Sequence, residues 1–357
     1  MPLPKLSETE LTEKAATLEE KLQQLLHEAT PPATELIQTH HELATIYAEQ
    51  KNNNAAMEQL TAALELVAKH PDETLSKADL LYDLAVATHR QRENLEAAMD
   101  YAMQALDLYT NAGKNGKLAK TYQRIGLIHV AEENWDAALA VLEQSVEWGE
   151  KLEDWEELGG TYATIADIYR IQNRFQEALD YYKLAIENYE KCEEYGYLGE
   201  VYQIIAEMLA LHHKTEQAVK CYKEAASHFL KSERPDEAGI CYLYAGKLLA
   251  PLRKYAAAIE LFNTAVEHFV SANNNYETAA CFIQIASAYE EQKQWQQAIT
   301  AYEQAQNYAL AGGDEIQQEA VEESLDYARQ NLTNSPTPSD SEHKGGFFNK
   351  LKGLFGG

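Results

Sequence analysis

The sequence predicts an all-α, right-handed α-solenoid of about seven helix-turn-helix repeats with a capping helix at each end. Three observations predict it. Alanine returns every 40 residues at Ala98, Ala138, Ala178, Ala218, Ala258 and Ala298, with Ala56 preceding them. A second column reads Ala105, Ser145, Ala185, Ala225, Ala265 and Ala305, and an aromatic column reads Tyr122, Tyr162, Tyr202, Tyr242 and Phe282. Self-similarity at a fixed period of this size marks a stacked repeat array. The third observation is the scarcity of breakers: 9 prolines and 17 glycines in 357 residues favour long helices joined by short turns.

The elements follow in order. Residues 8–30 form a helix by period, with Leu11, Ala15, Leu18, Leu22 and Leu25 on one stripe. Pro31 and Pro32 end it, so residues 1–36 are read as an N-terminal helix and cap. Seven units fill 37–312, each with two helical patterns joined by a polar turn. In the fourth, Tyr162, Ile165, Ala166 and Tyr169 share one face of the first helix, and Ala178, Tyr182 and Ala185 share one face of the second. Alanine recurs where helices must approach closely. The first residue of each unit is small as well: Ala78, Ala119, Gly159, Gly199, Gly239 and Ala279. Trp135, Phe175, Tyr255 and Trp295 open the second helices of their units and fill gaps between helices. A polar capping helix is expected over 313–331, a disordered linker over 332–346, and a short basic amphipathic tail over 347–357.

Composition narrows the function. The formal net charge is −27, which excludes sequence-independent nucleic-acid binding and favours a partner with a basic segment. Cys192, Cys221, Cys241 and Cys281 form no CxxC pair, and Cys241 and Cys281 share a repeat position, so they are read as small buried residues. No signal peptide or transmembrane run is visible, and a cytoplasmic location is expected. HExxH, GxSxG, GxxxxGK[ST] and GxGxxG are missing from the chain, so a non-enzymatic protein with no cofactor and no metal is expected. The adjacent pairs His40-His41 and His212-His213 point about 100° apart on a helix and are read as polar helix residues. Paired carboxylates such as Glu156-Glu157 and Glu322-Glu323 are read as solvated faces.

The paired positions Leu84-Ala85, Ile125-Gly126, Ile165-Ala166, Ile205-Ala206, Ala245-Gly246 and Ile285-Ala286, with second-helix triplets such as Ala178-Tyr182-Ala185 and Ala298-Tyr302-Ala305, resemble the tetratricopeptide repeat family. The likeness covers residues 37–310. The period of 40 exceeds that family's usual 34 and is similar to the repeats of SNAP-type adaptors and Pins-type polarity scaffolds. The resemblance implies that first helices line a concave groove. The column Thr45, Val86, Leu127, Asp167, Glu207, Lys247 and Ser287 would then face inward, changing chemistry in every unit. It also implies inward positions for Tyr82, His89, Gln123, Arg124, Arg170, Gln203, Tyr244 and Glu290. Such a mixed surface suits an extended or helical peptide.

The tail is the other distinctive segment. As a helix it would align Phe347, Leu351, Leu354 and Phe355, with Phe348 beside them and Lys350 and Lys352 off the stripe. So short an apolar face cannot bury itself. Its targets are a membrane interface, a groove on another protein, or the protein's own acidic groove. The expected function is a scaffold or adaptor that binds a protein segment in its groove, with the tail as a second, weak contact at a membrane surface or partner. The alternatives are a peripheral membrane protein whose tail is the main recognition element, and a regulatory sensor inhibited by its own tail.

Overall fold

The computed structural model describes residues 7–28, 31–70 and 73–334; the tail Phe347–Phe355 lies outside them. The described residues form sixteen α-helices and no strand. They are α1 (Glu8–His27), α2 (Ala33–Glu49), α3 (Asn53–Val67), α4 (Thr74–Gln91), α5 (Leu95–Asn111), α6 (Asn115–Ala131), α7 (Trp135–Leu152), α8 (Trp155–Ile171), α9 (Phe175–Cys192), α10 (Tyr195–Leu211), α11 (Thr215–Lys231), α12 (Pro235–Leu249), α13 (Tyr255–Ser271), α14 (Asn275–Glu291), α15 (Trp295–Gly312) and α16 (Glu315–Asn334). The chain divides into two compact units, Met1–Cys192 and Glu193–Gly357. The first holds α1–α9 and the second α10–α16. Each is an all-α helical-repeat solenoid in which successive helices pack on one another.

The sequence columns become the packing code. Ala98, Ala138 and Ala178 in the first unit, and Ala218, Ala258 and Ala298 in the second, are completely buried. Ser145, alone in its alanine column, keeps its hydroxyl satisfied: Oγ donates to the Ala119 carbonyl at 2.9 Å and shares a hydrogen bond with Thr161 Oγ1. A small residue early in a first helix faces a large ring late in its second helix. Gly159 lies under Tyr189, Gly199 under Phe229 and Gly239 under Phe269, and a Cβ on any of these glycines would fall within 2.8 Å of ring carbon. Where the second helix carries a small residue instead, as at Gly149 and Ala309, the first helix carries alanine, Ala119 and Ala279.

The turns are as regular as the helices and contain little glycine. Glu133, Asn173, His213, Arg253 and Lys293 occupy the turn inside successive helix pairs, and all have φ between 57° and 59°. At the opposite helix ends, Gly113, Glu153, Glu193, Glu233, Asn273 and Gly313 repeat the left-handed conformation. It closes helix C-termini, and a tightly packed array repeats it even where the residue is not glycine. Two helix boundaries differ from the sequence reading. The first helix stops at His27, and α16 continues to Asn334, taking in Leu332, Thr333 and Asn334 of the expected linker. Asn331 Nδ2 and Thr333 Oγ1 donate to the Tyr327 and Gln330 carbonyls, both at 2.8 Å, and these local bonds accompany the extra turn.

Candidate functional site

In the first unit the first helices α2, α4, α6 and α8 neighbour one another directly and carry a polar row. His41 Nε2 donates to Asp83 at 2.5 Å, while His40 turns away to Gln59 at 2.8 Å. The Asp83 contact raises the His41 pKa. Arg124 on α6 donates through Nη1 to His89 Nδ1 on α4 at 3.4 Å. Burial, and next the Arg124 charge, hold His89 below its usual pKa, so His89 meets the guanidinium as a neutral acceptor.

Gln123 bridges α6 to α8. In the orientation that satisfies both ends of its amide, it donates to Glu157 Oε1 at 3.2 Å and accepts from the Thr161 N–H at 3.1 Å. This corrects the reading of Glu156-Glu157 as a solvated pair: Glu156 is exposed, but Glu157 is only 8% exposed. Burial pushes the Glu157 carboxyl up to about 7, against the opposing pull of Lys120. Periodicity does not reveal it, because Lys117 and Tyr197 at the same repeat position are exposed. Tyr82, Val86 and Leu127 are half-buried on the same helices, whereas Thr45 is exposed.

Asp167 and Arg170 are brought together on α8, with the guanidinium exposed and the carboxylate reaching the buried Tyr182 hydroxyl. Tyr182 is fully buried on α9, and its hydroxyl donates to Asp167 Oδ1 at 2.7 Å. Arg170 donates to the same carboxylate at 2.7 Å and to the Tyr182 hydroxyl at 3.2 Å. Burial, and after it the Asp167 charge, raise the tyrosine's pKa far above its ordinary value. At Asp167 the varying first-helix column is thus tied to the second helix fifteen residues on. The residues at that spacing are Leu127 and Leu142, Asp167 and Tyr182, Glu207 and Tyr222, Lys247 and Phe262, and Ser287 and Tyr302; hydrogen bonds join Asp167 to Tyr182 and Ser287 to Tyr302. For Tyr182 and Tyr302 the first helix supplies polar groups that bond the hydroxyl.

The second unit repeats this with different residues. The Tyr302 hydroxyl donates to Glu290 Oε2 at 3.0 Å and also meets the Ser287 and Ser324 hydroxyls. Burial raises Glu290 to about 7. Gln203 donates to Glu207 at 3.1 Å, and its Oε1 lies 3.9 Å from Cys241 Sγ on α12. Tyr244 is 42% exposed. Its ring stacks on Tyr222 with centroids 6.0 Å apart, and Lys247 Nζ lies 5.2 Å from the Tyr244 centroid. Phe262 carries no hydroxyl, so Lys247 is not committed to one. Cys241 and Cys281 are completely buried free thiols, and burial pushes Cys241 up to about 12, so both serve packing. Among the described residues no group of His, Cys, Asp and Glu could hold a metal ion, and no helix is long and apolar enough to cross a membrane.

Comparison with known proteins agrees with this architecture. A family model described as soluble NSF attachment protein matches residues 145–312, and a tetratricopeptide repeat model matches residues 37–70. No curated protein matches the chain. Among solved structures, aspartyl phosphate phosphatase F from Bacillus subtilis is 15% identical with a TM-score of 0.54, covering 88% of this chain and 86% of its own. A Rap protein complexed with competence and sporulation factor is 16% identical with a TM-score of 0.53, covering 90% and 89%. Yeast Tom70 is 17% identical with a TM-score of 0.53, covering 93% of this chain and 61% of its own. Identities this low establish a shared fold.

Proposed function

We propose that this chain, which belongs to the tetratricopeptide-repeat superfamily, is a non-catalytic scaffold that holds a segment of a partner protein against its first helices. The observation that carries this reading is Tyr244. An aromatic ring nearly half exposed on a rigid ring stack, with a lysine beside it, is the kind of side chain that anchors protein contacts at small entropic cost. Gln203, Glu207 and Lys247 lie on the same first helices, α10 and α12, and offer both signs of charge and an amide to a peptide backbone or a basic side chain. In the first unit, Gln123 and Arg124 are the corresponding polar candidates, with Tyr82 and Leu127 as apolar ones. Asp167, Arg170 and Glu290 are better assigned to holding buried tyrosine hydroxyls than to reading a ligand. The like-folded Rap protein complexed with competence and sporulation factor puts partner binding within the reach of this architecture.

The tail residues Phe347, Phe348, Lys350, Leu351, Lys352, Leu354 and Phe355 are assigned the second contact, on the strength of their apolar and basic pattern. Affinity capture from native extract tests both parts. The full chain, a Tyr244→Ala/Glu207→Lys variant and a chain ending at Asn334 are compared for the same retained protein. The double variant is expected to retain about tenfold less, and the shortened chain to retain the protein more weakly. Equal retention by the double variant would reject the first-helix site. Stronger retention by the shortened chain would instead favour a tail that competes for the groove.

A further inference from the structure

The two ends of the helices in the second unit carry opposite charge. Three of the turns between helix pairs are acidic, with Glu193 and Glu194 before α10, Glu233, Asp236 and Glu237 around the start of α12, and Asp314 and Glu315 at α16, while the α13–α14 turn Ala272-Asn273-Asn274 is uncharged. Arg234 is the exception there, and it is held by Glu200 and Glu237, both at 2.8 Å. Two of the turns inside the pairs, about 25 Å away along the helices, carry the cations: His212-His213-Lys214 between α10 and α11, and Arg253-Lys254 before α13. The third, Glu290-Glu291-Gln292-Lys293, is of mixed charge. In a chain of net charge −27, this edge stands out.

The same basic turns expose aliphatic side chains. Leu211 is 79% exposed immediately before His212, and Leu252 is 48% exposed immediately before Arg253. The second lies in a 3-10 turn, Ala250–Leu252, that extends α12. The two turns are neighbours: Lys254 Nζ donates to Glu216 Oε1 in the first turn of α11 at 2.8 Å. That contact neutralises the one acidic group between them. Arg253 has no acidic partner among the described residues. Neither leucine can be explained as core, because buried positions one helical turn away, such as Met208 and Leu249, already fill that role.

We propose that this edge, built from the α10–α11 and α12–α13 turns, docks on the surface of an anionic lipid membrane. Two leucines projecting from turn tips, with Lys214 beyond the first and Arg253 beside the second, match an interface with hydrocarbon below and negative headgroups around it. Two separate tips offer a protein partner little continuous area. The acidic turns at the far helix ends orient the unit, since an anionic surface repels them and attracts the basic edge. The proposal is independent of the C-terminal tail.

Vesicle co-sedimentation tests it, with full-length protein whose tail is silenced by Phe347→Ser, Phe348→Ser, Leu351→Ser, Leu354→Ser and Phe355→Ser. Vesicles of phosphatidylcholine with about 30% phosphatidylserine are compared with phosphatidylcholine alone. The tail-silenced chain is expected to pellet with the anionic vesicles only. Adding Leu211→Ser and Leu252→Ser should weaken pelleting at least about tenfold, and Arg253→Gln alone about fivefold. All three substitutions are at exposed positions, so an unchanged circular dichroism spectrum and melting temperature accompany the loss. Equal pelleting with and without the leucines overturns the proposal. So does binding that ignores the headgroup charge. A tail-silenced chain that ignores vesicles but binds poly-glutamate through Arg253 also overturns it, and would assign the edge to an acidic protein instead.

Discussion

The helix pairs α8–α9 and α12–α13 occupy equivalent places in the repeat and close their cores by different chemistry. In the first, Tyr182 reaches through the interface and its hydroxyl ends on Asp167 and Arg170, above an alanine, Ala166. In the second, Phe262 fills the same place and Gly246 replaces the alanine. A Cβ on Gly246 would overlap the ring, with Phe262 Cδ1 2.7 Å away. The tyrosine solution consumes first-helix polar groups, while the phenylalanine solution releases Lys247 to lie beside Tyr244. Side chains on the exposed face are therefore set partly by what the second helix brings to the core.

The sharpest way to break this comparison is to give the second pair the alanine of the first. Gly246→Ala is expected to destabilise the protein by about 3 kcal/mol, because a buried ring is too stiff to yield to an added methyl group. Gly126→Ala meets Leu142 Cδ2 at 2.6 Å and should cost only about 1 kcal/mol, since a leucine can change rotamer. Urea unfolding midpoints measure both, and equal losses would contradict the explanation by ring stiffness.

The next test exploits pH. Glu157 titrates near 7 in the folded protein because burial disfavours its charge, against an ordinary value of 4.5. Folded protein therefore keeps a proton that unfolded chain releases between those values, and stability falls as pH rises through this window. The groups facing Glu157 are Gln123, Lys120 and Arg124 from α6, with Asp154, Glu156 and Thr161 on its own segment. Glu157→Gln keeps the shape and removes the titration. Between pH 5 and 8 the variant should gain about 2 kcal/mol relative to the parent. A parent and variant that keep a constant difference across that range would show Glu157 to be solvated after all.

A smaller effect tests the hydroxyl itself. Tyr182→Phe removes the donor to Asp167 but leaves that carboxylate paired with Arg170 and partly in water, so a loss of about 1 kcal/mol is expected. Phe262→Tyr makes the reverse change without an acid at position 247. Its added hydroxyl lacks the acceptor that Asp167 gives Tyr182, so it should destabilise too. A stabilising Phe262→Tyr would end the idea that the two columns are matched.

Much of the fold was legible in the sequence because alanine and aromatic columns record backbone spacing directly: Ala98, Ala138 and their successors are buried wherever they recur. Trp135, Phe175, Tyr255 and Trp295 begin α7, α9, α13 and α15 as the pattern indicated. The candidate site was less legible. A column that changes residue type reads the same whether it meets a ligand or the varying underside of its own second helix. The link from Asp167 to Tyr182 spans two helices and shows only when they are packed. Glu157 escaped notice for a related reason: a carboxylate among 57 acidic residues looks solvated until a neighbouring helix covers it. The turns were hidden too, because glycine usually announces a left-handed residue, and here charged residues take that conformation.

That last point supplies the gentlest test, on turns rather than cores. Glu133 sits at φ 57° between α6 and α7, a conformation that crowds the Cβ of an L-residue. Gly113 and Gly313 adopt the same conformation at the opposite helix ends. Glu133→Gly removes the crowding but makes the unfolded chain more flexible, and the two effects oppose one another. Relief of strain should prevail by about 0.5 kcal/mol, seen as a small rise in urea midpoint. The same substitution one residue later, Asn134→Gly, falls where φ is −90°. There glycine relieves nothing and should destabilise, so the sign of the difference between the two neighbours isolates the turn geometry from any general effect of glycine.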